Sequence, residues 1–535
     1  MTNRLPALVF ALMGLLCGSL QGQPFDLLIR NGRIVDGTGN PAYFADLAIK
    51  DGRIAAIEKI SGPADEVIDA TGLVVAPGFI DVHTHADDVD EAPLAENFVR
   101  MGVTTLVVGN CGSSTLDMAR FFRQIERTNV AVNVVALVGH NTVRSKAMDG
   151  DFDRPPTAKE LERMKALVDR AMKDGAAGLS TGLIYLPGVF SKTEEIVELA
   201  KVMAPYGGIY TSHMRHEDTR IYEALEEVFR IAREAGVRAE VSHIKLSGPT
   251  AWGQAQRVLS HIEKARAEGL DITQDQYVYT ASSTGISQLV PESARDGGHA
   301  RFVERLGDPE QKAEIVREMK RSLKAKGRDD YAYAVIASYR QDRSLNGLNI
   351  VEATKAKRGS DSLDDQIEMI LEIQKNGGAS GVFHGMSEED LAGFLSHPNT
   401  MVASDSGIRR LGAGVPHPRG YGNNARVLAR YVREMKVLRL EDAIRKMTSL
   451  PATTFRLSDR GLLRQGSWAD VVVLDPQKVQ DTARFNDPHH YATGIPWVVV
   501  NGVVVLRDGE HTRAKAGQPL RRDGGAPADL AAGSH

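Results

Sequence analysis

The sequence predicts an α/β protein: a (β/α)8 TIM-like barrel, a small β-sandwich domain built from both chain ends, and an inserted lid subdomain. Three observations carry that expectation. Eight short apolar runs, each ending in polar or glycine residues, recur through the middle of the chain. Amphipathic stretches of helical length lie between most of them. Both ends instead have the texture of hairpins. A doubly wound open sheet would give the same alternation, but the first β-α turn lacks the glycine-rich phosphate fingerprint of that fold.

At 535 residues the chain is long enough for two or three domains. Its 42% hydrophobic and 25% charged residues are those of an ordinary soluble enzyme. A net charge of −4 without a long basic run gives no footprint for nucleic acid.

Taken in order, the chain begins with Arg4 and the apolar run Leu5 to Leu16, followed by small and polar residues. This is the layout of a secretory signal over residues 1–22, with cleavage near Gly22 and a periplasmic or secreted mature protein. The run is too short to span a membrane, so the mature chain is expected to have no transmembrane anchor. Leu15, Leu16 and Cys17 hint at a lipoprotein signal, but Leu16 is too large for the small residue usual before such a cysteine. Removing the signal removes Cys17 and leaves Cys111 as the single cysteine, so no intrachain disulfide can form. A lone thiol in an oxidising compartment is either buried and inert or occupied by a metal.

Residues 24–76 alternate apolar runs with turns at Asn31-Gly32 and Asp51-Gly52, the signature of paired strands. The same texture returns over 456–510, where Asn501-Gly502 joins two valine-rich runs. Residues 77–455 hold the expected barrel strands: Gly78–His83, Thr104–Asn110, Asn133–His140, Ala176–Gly182, Gly208–His213, Arg238–His243, Asp271–Tyr277 and Met401–Asp405. The helices expected between them include Glu160–Lys173, Thr193–Met203, Ile221–Ala235 and Ala255–Ala267. An insertion of about 287–397 separates the last two strands and should form a lid over the active face. The tail, 511–535, is rich in Gly, Ala, Arg and Pro and is expected to be disordered.

Metal-competent residues sit at the carboxyl ends of these strands: His83 and His85, Cys111, His213, His243 and Asp405. In a barrel those ends open onto one face. Period-2 alternation puts His83 and His85 on the same side of their strand. Thiolate with imidazole suits zinc, and a zinc-bound water with a carboxylate to accept its proton hydrolyses amides. Any one of these residues alone is more often structural.

The stretch Pro77 to His85, with Gly109-Asn110-Cys111-Gly112, Tyr185-Leu186-Pro187-Gly188, Ser212-His213-Met214-Arg215, Ser242-His243-Ile244-Lys245, Asp275-Gln276-Tyr277 and Ser404-Asp405-Ser406, resembles the amidohydrolase superfamily. The resemblance is closest to its N-acyl-D-amino-acid deacylase (D-aminoacylase) branch. It implies zinc-dependent hydrolysis of a small-molecule N-acyl-D-amino acid to a carboxylate and a free D-amino acid. It also implies one tightly held Zn2+ on Cys111, His213 and His243, and a weaker second position near His83, His85 and Asp405. Asp405 would be the general base and then the acid, roles that a raised carboxyl pKa would suit. Lys245 would bind the substrate carboxylate, with Tyr185, Tyr277, Ser283 and Arg419 orienting substrate. His384 and His417 are further cleft candidates, and Arg295, Arg301, Arg340 and Arg343 could serve an acidic substrate from the insertion.

Two other enzyme readings and a non-enzyme one compete. Cyclic-amide hydrolases of the dihydropyrimidinase and hydantoinase type typically use a carboxylated lysine, and the fourth strand ends in Ser180-Thr181-Gly182 instead. A deaminase would call for a histidine–glutamate pair. A non-catalytic metal-binding homologue would be expected to lack a core ligand, and none is missing.

Overall fold

In the computed structural model, residues 24–522 are described, and the expected signal segment lies outside them. Eight parallel strands form the barrel. The first, Phe79–Asp81, pairs with Val103–Val108, which pairs with Asn133–Ala136 and its continuation Val138–Gly139. The order continues through Gly178–Gly182, Ile209–His213, Arg238–Val241, Ile272–Gln276 and Thr400–Val402. The ring closes where Thr84 bridges Ser406 in parallel and the Asp405 N–H donates to the His83 carbonyl at 2.9 Å. These strands are buried on both faces, so they do not show the apolar–polar alternation of a half-exposed strand, and polar residues such as Ser180, Thr211, Glu240 and Gln274 are buried within them.

Helices cover the barrel with their apolar stripes turned inward. Ala158–Lys173 starts at a capping box, Thr157 with Glu160, and buries Met164, Val168, Ala171 and Met172. Ile221–Ala235 ends at Gly236 in the left-handed conformation, where a residue without Cβ closes a helix at least cost. A buried ion group lies between two of these layers. The Glu195 carboxylate accepts from His140 Nε2 at 2.8 Å and pairs with Arg144.

The two chain ends meet in one nine-stranded sheet. Val74–Pro77 runs antiparallel to Val471–Leu474 at the seam, and Leu27, Ile29, Leu47, Val471 and Val473 fill the core. Asp51-Gly52 and Asn501-Gly502 are hairpin turns with positive φ at both residues. Asn31-Gly32 is not a turn. Phe25–Ile34 is one strand, and Asn31, at φ 59°, forms an irregularity between Ile29 and Gly32.

The insertion starts earlier and ends earlier than its sequence suggests. It is built on an antiparallel sheet of Ala281–Gly285, Ser380–His384 and Ala334–Ser338, with a separate core of Ile286, Phe302, Met319, Ile336, Ile350 and Ile370. The strand Ala281–Gly285 is small and polar, so it gives no strand signal. Glu388–Ser396, expected within the insertion, returns to the barrel and buries Leu391, Phe394 and Leu395 in the barrel core. The tail expectation is corrected through Arg522. Gly517 bridges Val130, Pro519 bridges Val134, and the Arg522 N–H donates to the Gly175 carbonyl at 3.0 Å. Backbone pairing orders a segment whose composition alone would not.

Candidate metal centre

Cys111 is the hub. Its thiol faces His83 Nε2 at 3.3 Å, His213 Nδ1 at 3.6 Å and His243 Nε2 at 3.7 Å. His83, His213 and His243 are all at most 5% exposed, and Cys111 is 7% exposed. His85 Nε2 meets Asp405 Oδ1 at 3.1 Å, and His83 Nε2 lies 3.8 Å from the same oxygen. The structure thus brings together all six residues that the sequence picks out as ligands. They fall into overlapping groups, His83–Cys111–His243, His83–His85–Asp405 and, with Glu217 added, His213–Glu217–His243, with ligand atoms within 4.8 Å of one another in each.

Backbone geometry aims these side chains. Cys111, His243 and Asp405 stand just past their strands at φ 52°, 37° and 51°, in the left-handed region. Such backbone costs on the order of 1–3 kcal/mol per residue and collects at functional sites. The turn at Cys111 also fills the end of the fourth strand. A Cβ on Gly182 would run into the Cys111 carbonyl, so that strand end leaves no room for a side chain.

A metal fits this donor set. The thiol is surrounded by imidazole nitrogens and His213 Nε2 has no hydrogen-bond partner, a soft and nitrogen-rich environment of the kind zinc takes. Burial alone pushes the Cys111 thiol up, but the three surrounding imidazoles outweigh it and hold the group well below its ordinary value, as thiolate. Burial likewise pushes Asp405 up, yet Arg419, His85, His243 and His83 hold it well below the usual carboxylate range. The raised value that would suit an acid–base residue is therefore absent, and Asp405 is ionised.

Two carboxylates that the sequence reading passed over orient the ligands. Asp275 Oδ2 lies 3.3 Å from His83 Nδ1 and its Oδ1 accepts the His243 N–H at 3.1 Å. Glu217 Oε1 lies 3.0 Å from His243 Nδ1 and 2.5 Å from Lys245 Nζ. His243 Nε2 faces Cys111, while its Nδ1 lies 2.8 Å from Lys245 Nζ, which as an ammonium donates to it, and Glu217 holds that lysine in place. The only sequence signal was an acid four residues after His213 and another two before Tyr277.

The cluster floors a cavity of about 840 Å3, lined in part by Tyr185, Lys245, Tyr277 and Ser283. Lys245 is 2% exposed and already engaged by Glu217, so its charge is shared between the ligand network and the cavity. Tyr185 lies edge-on to His213 and accepts from Thr284 Oγ1 at 3.2 Å. Arg419 departs from its expected place. Its guanidinium is buried against Asp405 Oδ2 at 2.9 Å and over the Tyr277 ring, outside the cavity wall. His417 is structural: its Nε2 donates to the Ala281 carbonyl at 2.8 Å. The His384 ring packs on Phe485 rather than in the cavity. Arg295, Arg301, Arg340 and Arg343 do not line it either; the insertion's cations there are Lys326 and Arg328.

The Amidohydrolase family model matches residues 66–506, most of the chain. The chain belongs to the amidohydrolase family. This amidohydrolase is 36% identical to an N-acyl-D-glutamate deacylase of Alcaligenes xylosoxydans xylosoxydans, over 94% of this chain and 99% of that protein. It is equally similar, 36% over 94% and 98%, to a D-aminoacylase of the same organism. A solved N-acyl-D-glutamate deacylase from Bordetella bronchiseptica, complexed with zinc and a phosphonate mimic of the tetrahedral intermediate, matches with a TM-score of 0.80 at 34% identity, covering 93% of this chain and 100% of that one. An L-hydantoinase from Arthrobacter aurescens shares the fold alone, at 19% identity and a TM-score of 0.54. No helix among the described residues is long and apolar enough to cross a membrane.

Proposed function

We propose that this amidohydrolase is a zinc-dependent deacylase of N-acyl-D-amino acids, releasing a carboxylate and a free D-amino acid. The observation that carries the reading is the Cys111 thiol set among His83, His213 and His243, with Asp405 beside them. It stands in a chain 36% identical over nearly its full length to deacylases of that class.

Cys111, His213 and His243 would hold the tighter zinc, and His83, His85 and Asp405 border a second position. When bound, the ion supplies Lewis-acid polarisation of the amide carbonyl and acidifies water. The chain's own groups do the rest. Asp405, ionised at the cavity floor, accepts the proton of the attacking water and returns it to the leaving nitrogen. Arg419 holds Oδ2 of its carboxylate at 2.9 Å, which leaves Oδ1, beside His85 Nε2 at 3.1 Å, as the oxygen turned to the histidine cluster. Glu217 holds His243 and Lys245 in register, and Lys245 and Tyr277 face the substrate from one wall. The buried ring of Tyr277 and the half-buried ring of Tyr185 add apolar surface to the cavity.

The test is a hydrolysis panel of N-acetyl-D- and N-acetyl-L-amino acids, with and without chelator. D-selective turnover lost on chelation and restored by zinc is expected. Turnover of L-isomers only, or turnover indifferent to chelation, would sink the reading. The N-terminal composition supports export of the protein, which amino-terminal sequencing of chain recovered outside the cytoplasm checks: a start near Gln23 is expected, and Met1 or Thr2 would refute it.

A further inference from the structure

The second large cavity lies at the other end of the barrel from the metal cluster. It encloses about 560 Å3 beneath the third and fourth strands, where Val135 and Ala177 form its roof. Three segments far apart in sequence meet around it: Pro205–Tyr206, the stretch Phe455–Arg460 that leaves the barrel, and the C-terminal strap Gln518–Arg522. Tyr206, Phe455 and Trp468 give it aromatic walls.

Four arginines line this cavity, and two are already paired. Arg460 binds the buried Asp470, and Arg521 pairs with Glu126 at 2.6 Å. The one lining carboxylate, Asp459, lies 3.8 Å from Arg53. Arg456 and Arg522 have no ion pair and no side-chain hydrogen bond among the described residues. Their guanidinium tips converge on the same point over Gly207, so that a side chain at Gly207 would meet both. Arg456 is exposed and Arg522 half-buried, and a shared anion at the point over Gly207 that both guanidinium groups face would offset the repulsion that water there only screens. Burial and the Arg456 charge both push the Arg522 guanidinium below its ordinary value, as expected where a counter-ion is missing.

The backbone at Arg456 gives an independent indication. This residue closes the helix Ser449–Phe455 at φ 56° and ψ 44°, a left-handed position that glycine fills most cheaply. Its side chain does not serve the helix end, because the Thr453 and Thr454 carbonyls accept from Arg238 instead. Arginine at this place is explained by what its guanidinium reaches.

We propose that Arg456 and Arg522 form a binding site for a small, multiply charged oxyanion of the phosphate class, which ties the C-terminal strap to the underside of the barrel. Each planar fork can present two N–H donors to a tetrahedral oxyanion, and the cavity leaves room for a larger group carrying the phosphate. The site is separate from the reaction, so its occupancy governs attachment of the strap and resistance to unfolding rather than turnover.

Titration calorimetry of the full zinc-loaded chain with inorganic phosphate and then pyrophosphate, at ionic strength held constant with potassium chloride, tests this. Saturable binding is expected, tighter for pyrophosphate, with a rise in melting temperature that chloride does not give. Arg456→Gly should keep the fold at least as stable in phosphate-free buffer, since glycine suits the left-handed position, yet weaken the anion by about tenfold or more. Arg522→Gln should weaken it similarly, and both should keep the deacylase activity of the parent. Absence of saturable binding would overturn the proposal. So would binding that both variants retain, which would place the anion at the metal cluster.

Discussion

Replacing Glu217 by glutamine keeps the shape of the side chain and removes its charge. In the structure that carboxylate lies 2.5 Å from Lys245 Nζ, 3.0 Å from His243 Nδ1 and 4.0 Å from His213 Nε2. Coulomb's law at an effective dielectric of about 20 gives ~7 kcal/mol for the Lys245 contact before desolvation. Most of that is not net, because both groups left water to make it. A destabilisation of about 3–5 kcal/mol is therefore expected for metal-free Glu217→Gln at pH 7. Urea unfolding at several pH values measures it. Burial pushes the Glu217 carboxylate up, but Lys245, His213 and His243 hold it well below its ordinary value in the parent, so the parent's advantage should shrink as pH falls through the acid range and Glu217 protonates. With Lys245 no longer held against His243 Nδ1, zinc retention against a chelator should also weaken by about 10–100-fold. A variant within about 0.5 kcal/mol of the parent at pH 7, with unchanged zinc retention, would refute the assignment of Glu217 as the residue that orients His243 and neutralises Lys245.

Four further outcomes are expected. Cys111→Ala should leave zinc content per chain, by elemental analysis after dialysis, far below that of the parent; unchanged content would show the ligand assignment to be wrong. Asp405→Asn should lower kcat by about 10²–10⁴-fold with a much smaller change in KM, read from steady-state kinetics on the best D-substrate. Glu195→Gln strands Arg144, which is fully buried, and should cost about 3–5 kcal/mol in urea unfolding with kcat little affected. Lys446 is buried, and burial with the neighbouring Arg445 charge lowers it to about 7. Its unfolded state therefore binds more protons between about pH 7 and 10.5, so its contribution makes stability rise across that window, and Lys446→Met should flatten the measured slope.

The sequence exposed the site because barrel strands end where chemistry gathers. An apolar run that stops at His83, Cys111, His213, His243 or Asp405 marks both a strand end and a ligand, so one signal reports both. Glu217 and Asp275 gave no such signal. Their roles depend on which histidine nitrogen they meet, and that is set by contacts across 26 residues for Glu217 and 192 for Asp275. The family resemblance implies that Arg419 orients substrate; in the structure its guanidinium pairs with the Asp405 carboxylate, a contact that sequence position alone does not show. The insertion edge at Ala281 and the ordered strap through Arg522 were missed for the same reason. Both are held by pairing with distant backbone, Val382 and Gly381 in one case and Val130 and Val134 in the other, not by local propensity.

The left-handed backbone at Cys111, His243 and Asp405 connects fold to function in a way composition cannot show. At about 1–3 kcal/mol each, these conformations would be disfavoured in isolation. They persist because the surrounding hydrogen bonds overdetermine them: Asp275 accepts from the His243 N–H, and the His83 carbonyl accepts from the Asp405 N–H at the seam that closes the barrel. Closing the ring and aiming the carboxylate proposed as the general base are thus one contact. A barrel that failed to close at that seam would lose the direction of Asp405 before it lost the remaining ligands, since Cys111, His213 and His243 hang from strands on the second, fifth and sixth positions of the ring. The strained backbone sits at three residues of the proposed metal centre, while Glu195 with His140 and Arg144 forms a separate buried ion group within the helical layer.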